Sequence, residues 1–501
     1  MSLPSPDLRS WCLSIALGLL FPIAAVPTTA QSEWTDPAPV NTNAANDEDS
    51  DLDPQVAHDG AGNWVAVWTT EDTLGGTIGT DNDILVAHSG DNGVTWSDVM
   101  PLNTNAANDS GTDGRPHIAS DGAGNWVAVW HSTENLGAAI GTDLDILVSR
   151  SEDNGATWTA PAALNTTANA DTSHDFDPFI ASDGKGIWLT VWYNTLDPGN
   201  TGEDADILFS RSMDNGATWS APATLNTNAT TDGGADFIPR IATDGSGNWV
   251  AVWYSNETLG DTIGLDNDIF AASSADDGAS WSAPTVVNDN AETDGFEDTN
   301  PEIATDRAGN WVVVWHSASV AARGQGSDFD VAVASSADNG ANWTNAIALN
   351  TNASTDTGND FLPSIDTDGA GTWVTVWQSN ENLDDVLGTD DDVFFAQSVN
   401  NGASWTAPAA LNTGAATDQG NDWTPRIGSN RAGQWLAIWY SWEDLGEPIG
   451  NDFDILAAIS PLPCMLSQAF FNALPNWGST NTVLDLITIV NQECGEARED
   501  G

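Results

Sequence analysis

Short apolar runs such as Asn63-Trp-Val-Ala-Val-Trp68 recur along most of the chain, and clusters of Gly, Asn and Asp bound every run. Short apolar runs with turn residues at both ends are the signature of β-strands joined by tight turns. No helical period is present before the last forty or so residues. The runs themselves recur. W-T-x-P is followed by P-x-I, then D-G-x-G-N-W-x-V-x-W, then D-x-D-I, then S-x-D-x-G-x-x-W, and the cycle restarts after 61 or 62 residues. The paired tryptophans mark seven copies: Trp64/Trp68, Trp126/Trp130, Trp188/Trp192, Trp249/Trp253, Trp311/Trp315, Trp373/Trp377 and Trp435/Trp439. Trp34, Trp96, Trp158, Trp219, Trp281, Trp343 and Trp405 form a third family, so three tryptophans in each of seven positions take up most of the 25 in the chain and belong to the core.

Four short strands per unit of roughly 60 residues match a propeller blade better than a sandwich or a solenoid. The expected fold is all-β: a seven-bladed β-propeller of four-stranded antiparallel blades. The ends are complementary. Trp34-Thr-Asp-Pro37 copies the last strand of a repeat with nothing before it, whereas the seventh repeat stops after Asp454-Ile-Leu456 without a last strand. The first strand is therefore expected to complete the last blade and close the ring.

Composition adds a cellular setting. Arg9, an apolar run from Leu13 to Val26 broken by Pro22, and small residues before Gln31 read as a secretory signal over residues 1–30. The propeller is expected over 31–460 and a separate tail over 461–501. No other segment approaches the roughly 20 apolar residues of a membrane span, so a secreted or periplasmic protein is expected. Cys12 leaves with the signal, and Cys464 and Cys494 remain in the tail, where an exported pair suggests a disulfide. Acidic residues number 73 against 11 basic ones, with Lys185 the single lysine. Such a surface repels nucleic acid and anionic lipid, and it either attracts cations or reflects life in high salt.

The segments Ser151-Glu-Asp-Asn-Gly-Ala-Thr-Trp158 and Ser212-Met-Asp-Asn-Gly-Ala-Thr-Trp219 resemble the Asp box of bacterial neuraminidases and related propellers, and the resemblance spans roughly residues 31 to 460. Six copies place Asp91, Asp153, Asp214, Asp276, Asp338 and, as a departure, Asn400 at the central position. The side chain there accepts hydrogen bonds from turn amides and the glycine supplies a positive φ, so these residues are structural. The resemblance puts them on the face opposite a binding site.

The other face collects the blade-to-blade connections and the loops between second and third strands. Each blade adds a D-x-D there, including Asp81/Asp83, Asp143/Asp145 and Asp266/Asp268. Residues i and i+2 of a strand share a side, so each pair can aim two carboxylates at one Ca2+ ion or, equally, cap the turn. Asp47, Asp49, Asp51 and Asp53 also alternate but lack the Gly and distal Glu of an EF-hand loop.

Sialidases, which this chain resembles, hold the substrate carboxylate with three arginines and attack with a Tyr assisted by a Glu. Here the resemblance points to Arg115, Arg240 and Arg426 beside the repeat proline, and to Tyr440 with Glu443. The residue after each second strand varies, giving His131, Tyr193, Tyr254 and His316 as further binding candidates. The F-R-I-P signature of the family is missing, and seven blades replace its usual six. The expected function is binding of an extracellular glycan or protein ligand on the acidic loop-rich face. An exo-α-sialidase and a non-enzymatic assembly scaffold are the alternatives.

Overall fold

An unbroken apolar run such as Trp64 to Trp68 is buried on both sides of a strand only when sheets stack on both of its faces, and the seven blades do this. The computed structural model describes residues 34–460 apart from 48, 171, 196–203, 294, 319–327, 384–385, 418, 444, 446–448 and 450–451. The signal-like segment, Cys464, Cys494 and the tail lie outside the described residues. In the first blade the strands Asp51–His58, Trp64–Thr70, Asp83–Ser89 and Met100–Pro101 form an antiparallel sheet in that order. Six more four-stranded sheets repeat it, and no α-helix occurs among the described residues. No helix there is long and apolar enough to cross a membrane.

Packing follows the period of two. Trp64, Ala66 and Trp68 face the seventh blade, where they meet Leu436, Ile438 and Ile455. Val65 and Val67, on the opposite side, meet Trp126 and Trp130 of the second blade. Both tryptophans of the repeat are fully buried in blades one to six, and losing one such ring costs about 3–5 kcal/mol.

The ring closes as the complementary ends require. Ala38–Pro39 pairs with the strand Asp454–Ile459, with Ala38 opposite Ala457 and Pro39 opposite Leu456. The Thr35 amide donates to the Ile459 carbonyl at 2.9 Å and the Val40 amide to that of Ile455 at 2.7 Å.

A buried polar bridge fixes each blade to the next. Asn103 donates through Nδ2 to Asp83 Oδ1 at 2.6 Å and to Asp113 Oδ2 at 2.8 Å. It thereby ties the start of one third strand to the start of the following first strand. The same bridge recurs at Asn41, Asn165, Asn226, Asn288, Asn350 and Asn412. At Asn41 it joins Asp51 to Asp454 and so seals the ring.

On the opposite face the Asp-box turns are held from within. Asp153 accepts from the Thr157 amide at 2.8 Å and the Thr157 hydroxyl at 2.6 Å; desolvation raises its carboxyl, and its hydrogen bonds together outweigh that and hold it below the usual range. Asp91, Asp214, Asp276 and Asp338 make the corresponding bonds. Asn400 accepts from the Ser404 amide at 3.0 Å and donates to its hydroxyl.

Candidate binding site on the propeller axis

Every first strand carries a β-bulge just before its proline, and the residue in the bulge is left-handed. Asp53, Arg115, Asp177, Ile238, Asn300, Leu362 and Thr424 all have φ between 47° and 53°. None is glycine, so each bulge stores strain of the order of 1 kcal/mol that the surrounding packing must hold. All seven line one cavity of about 350 Å³ at the centre of the ring. Residues just beyond the prolines, among them Gln55, His117, Arg240 and Arg426, line it as well.

Arg115, Arg240, Arg426 and Tyr440 therefore share one cavity, but the guanidinium groups are already engaged. Arg240 Nε lies 2.7 Å from Glu302 Oε1, and Arg426 Nη1 reaches the same oxygen at 3.6 Å. Arg240 also sits over the Phe179 ring at 5.0 Å. Arg115 is flanked by the bulge carboxylates of the two neighbouring blades, Asp53 at 3.2 Å and Asp177 at 3.7 Å. Burial pushes the Arg426 guanidinium down in pKa, Glu302 opposes that, and Arg240 adds to it.

Burial raises the Tyr440 phenol, which favours the protonated form, while a hydrogen bond with Thr424 works the other way. Glu443 does not line the cavity. It lies against Gly420, where an added Cβ would meet its Cγ at 2.7 Å.

The variable residues expected after the second strands lie inside them, one or two residues before the end, and serve the bulges. His131 Nδ1 accepts from the Asp177 amide, His316 Nδ1 from that of Leu362, and Gln378 Oε1 from that of Thr424, each in the following blade. Burial pulls both His131 and His316 down to a pKa of about 4, so both accept as neutral rings. Tyr193 stacks on Phe176, with centroids 5.3 Å apart and planes inclined by 19°. Contacts continue from Tyr193 to Phe237 and on to Tyr254. A second group joins Tyr440, Trp423, Phe453 and the exposed Trp442. These rings, half-buried apart from Trp442, flank the bulges; the position before the bulge supplies Phe176, Phe237, Phe361 and Trp423. The repeat motifs alone gave no sign of that position.

His117 and Phe179 stack at 3.6 Å and belong to both this cavity and a second one of about 330 Å³ toward the opposite face. Arg307, Arg431, His58 and Asp366 line the second cavity.

Four acidic clusters on the loop-rich side have a geometry that could hold a metal ion: Asp47/Asp452/Asp454, Asp81/Asp83/Asp109, Asp206/Asp232/Asp236 and Asp328/Asp330/Asp356. The strand begins at Asp83, not Asp81. The two carboxylates thus meet through the turn before the strand and not through its alternation.

Asp145 and Asp268 hold the place of Asp83 in blades two and four. Asp145 is fully buried, and its Oδ1 accepts from Asn165 Nδ2 at 2.7 Å. Asp268 is fully buried too, and its Oδ1 accepts from Asn288 Nδ2 at 2.6 Å. Asp145 and Asp268 thus serve the asparagine bridge through one oxygen, as Asp83 does. Neither of them, nor Asp143 or Asp266, belongs to a three-acid cluster among the described residues. The acids of blades two and four that align with Asp109, at 171 and 294, lie outside those residues.

No family model matches the chain, and no curated protein matches it. Among solved structures it is similar to a Hadza microbial sialidase, at 15% identity and a TM-score of 0.44 over 80% of this chain and 76% of that one. It is also similar to an α-L-arabinanase of Penicillium chrysogenum, at 15% identity and a TM-score of 0.44 over 70% of this chain and 93% of that one. The NanB sialidase from Streptococcus pneumoniae is similar at 9% identity and a TM-score of 0.43, over 86% and 98% of the two chains. At such identities these are resemblances among propellers and do not extend to activity. In architecture the protein is a β-propeller of four-stranded blades with Asp-box turns, closed into a ring of seven.

Proposed function

We propose that this protein is an exported propeller that binds an uncharged glycan at the axial cavity and does not cleave sialosides. The observation that carries the reading is the internal neutralisation of the cavity. Three guanidinium groups, Arg115, Arg240 and Arg426, are matched by three carboxylates, Asp53, Asp177 and Glu302. Glu302 occupies the arginine pair in the way a substrate carboxylate would. An anionic sugar would have to displace it and also approach a chain of net charge −62. Ion pairs fixed in this way still present hydrogen-bonding edges to hydroxyl groups, and the neighbouring rings offer apolar faces to a sugar.

An exo-α-sialidase remains the second reading, because Arg115, Arg240, Arg426 and Tyr440 line one cavity. Against it stand the burial of Tyr440, which raises its phenol, and the position of Glu443 outside that cavity. A fluorogenic sialoside assay on the wild type and on Arg240→Ala separates the two. Absence of turnover in both supports binding, and turnover that the substitution abolishes supports the hydrolase. Export itself is tested by N-terminal sequencing of the mature protein, with Gln31 expected first.

A further inference from the structure

We propose that four of the blade junctions are calcium sites, the best formed consisting of Asp81, Asp83, Asp109 and the side-chain carbonyl of Asn105. One oxygen from each of the three carboxylates lies within 4.8 Å of the others. Asp83 is fully buried. Its Oδ1 accepts from Asn103, and its Oδ2 has no partner. Asp81 Oδ2, Asp109 Oδ1 and Asn105 Oδ1 are likewise buried without a partner. Buried carboxylate oxygens without partners in a three-acid cluster are costly in an apo protein. No basic side chain forms an ion pair with any of these carboxylates among the described residues.

The local backbone is shaped around the carboxylates. A Cβ at Gly79 would collide with Asp81 Oδ1, and the same close approach is found at Gly388 against Asp390. Glycine is the residue that lets a carboxylate fold back over the chain there. Asn105 donates through Nδ2 to Asp109, and its Oδ1 is buried without a partner.

An all-oxygen donor set of three carboxylates and one amide carbonyl suits a hard divalent cation, and Ca2+ tolerates an irregular shell that Mg2+ does not. Each ion would staple the start of a third strand to the connection leading into the next blade. The same positions recur in Asp47 with Asp452 and Asp454, where the ion would join the N-terminal segment to the last blade and lock the ring.

The test uses the full chain, stripped with a chelator and returned to buffer containing about 0.5 M NaCl to suppress diffuse ion binding. Equilibrium dialysis against Ca2+ should show saturable binding of at least four ions per chain, one for each described cluster. The melting temperature should rise by roughly 5 °C or more on adding Ca2+ at fixed ionic strength. Asp109→Asn should lower the stoichiometry by one. Binding that does not saturate, or an unchanged melting temperature in the wild type, overturns the proposal without any variant having to fold. A response to Mg2+ equal to that for Ca2+ overturns the calcium assignment. Undiminished stoichiometry in Asp109→Asn overturns this cluster as a site.

Discussion

Arg240 and Glu302 occupy the same position in successive repeats, directly after the repeat proline, and their side chains meet at 2.7 Å beside the propeller axis. A ring built from one repeated strand places equivalent residues of neighbouring blades side by side. Opposite charges at one repeat position therefore become an ion pair without any special loop. Arg115 between Asp53 and Asp177 is the same device two positions earlier in the strand, before the proline.

Glu302→Gln should release both Arg240 and Arg426. Leaving two nearly buried cations with one counter-ion fewer is expected to cost about 3–5 kcal/mol, read as a fall in the denaturation midpoint. The same variant should gain affinity for a free carboxylate such as sialic acid by tenfold or more, measured by calorimetric titration. Unchanged affinity would mean that Glu302 does not govern access to the arginines.

Asn41 and Asn226 make the same bridge, one at the closure and the other in the middle of the ring. Substituting either by Ala removes an amide that two buried carboxylates share, so each should cost a similar amount, about 2–4 kcal/mol. Paired denaturation curves check this. A cost at Asn41 near zero beside a full cost at Asn226 would indicate a ring that is open at its seam.

His131 has its pKa depressed to about 4 by burial, against an ordinary value of 6.5. The unfolded chain thus takes up a proton first as pH falls. The stability this residue contributes is complete above about pH 6.5 and is lost progressively toward pH 4, by up to about 3 kcal/mol. Gln378 fills the same role in blade six with an amide oxygen that does not titrate. His131→Gln should accordingly keep the bulge and lose this part of the acid sensitivity. Denaturation at pH 7, 5.5 and 4 should show the variant gaining on the wild type as pH falls, and a constant difference would contradict the assignment.

The blade number, the four strands and the closure were legible because the Trp pairs and the mismatched ends of the chain state them directly. The shared cavity of Arg115, Arg240 and Arg426 was legible in part, through their position beside the repeat proline. The left-handed bulge was not, since Asp, Arg, Ile, Asn, Leu and Thr all occupy it and only the following proline is constant. Aligning the residue after each proline would have found Glu302, because it stands in register with Arg240 and Arg426. The Asn of L-N-T-N could be seen in the repeat, but a loop asparagine gives no sign of burial until the two aspartates it bridges are known to meet. For the same reason the burial of Asp145 and Asp268, bonded to Asn165 and Asn288 inside the blade junctions, could not be read from the D-x-D pattern.

The most direct test of the account is calorimetric titration of the mature protein with matched neutral and sialylated oligosaccharides, alongside the sialoside turnover assay. The account predicts measurable binding of a neutral glycan, at least tenfold weaker binding of its sialylated form, loss of neutral binding in Arg240→Ala, and no hydrolysis. Preference for the sialylated glycan, with turnover that depends on Arg240, would contradict it.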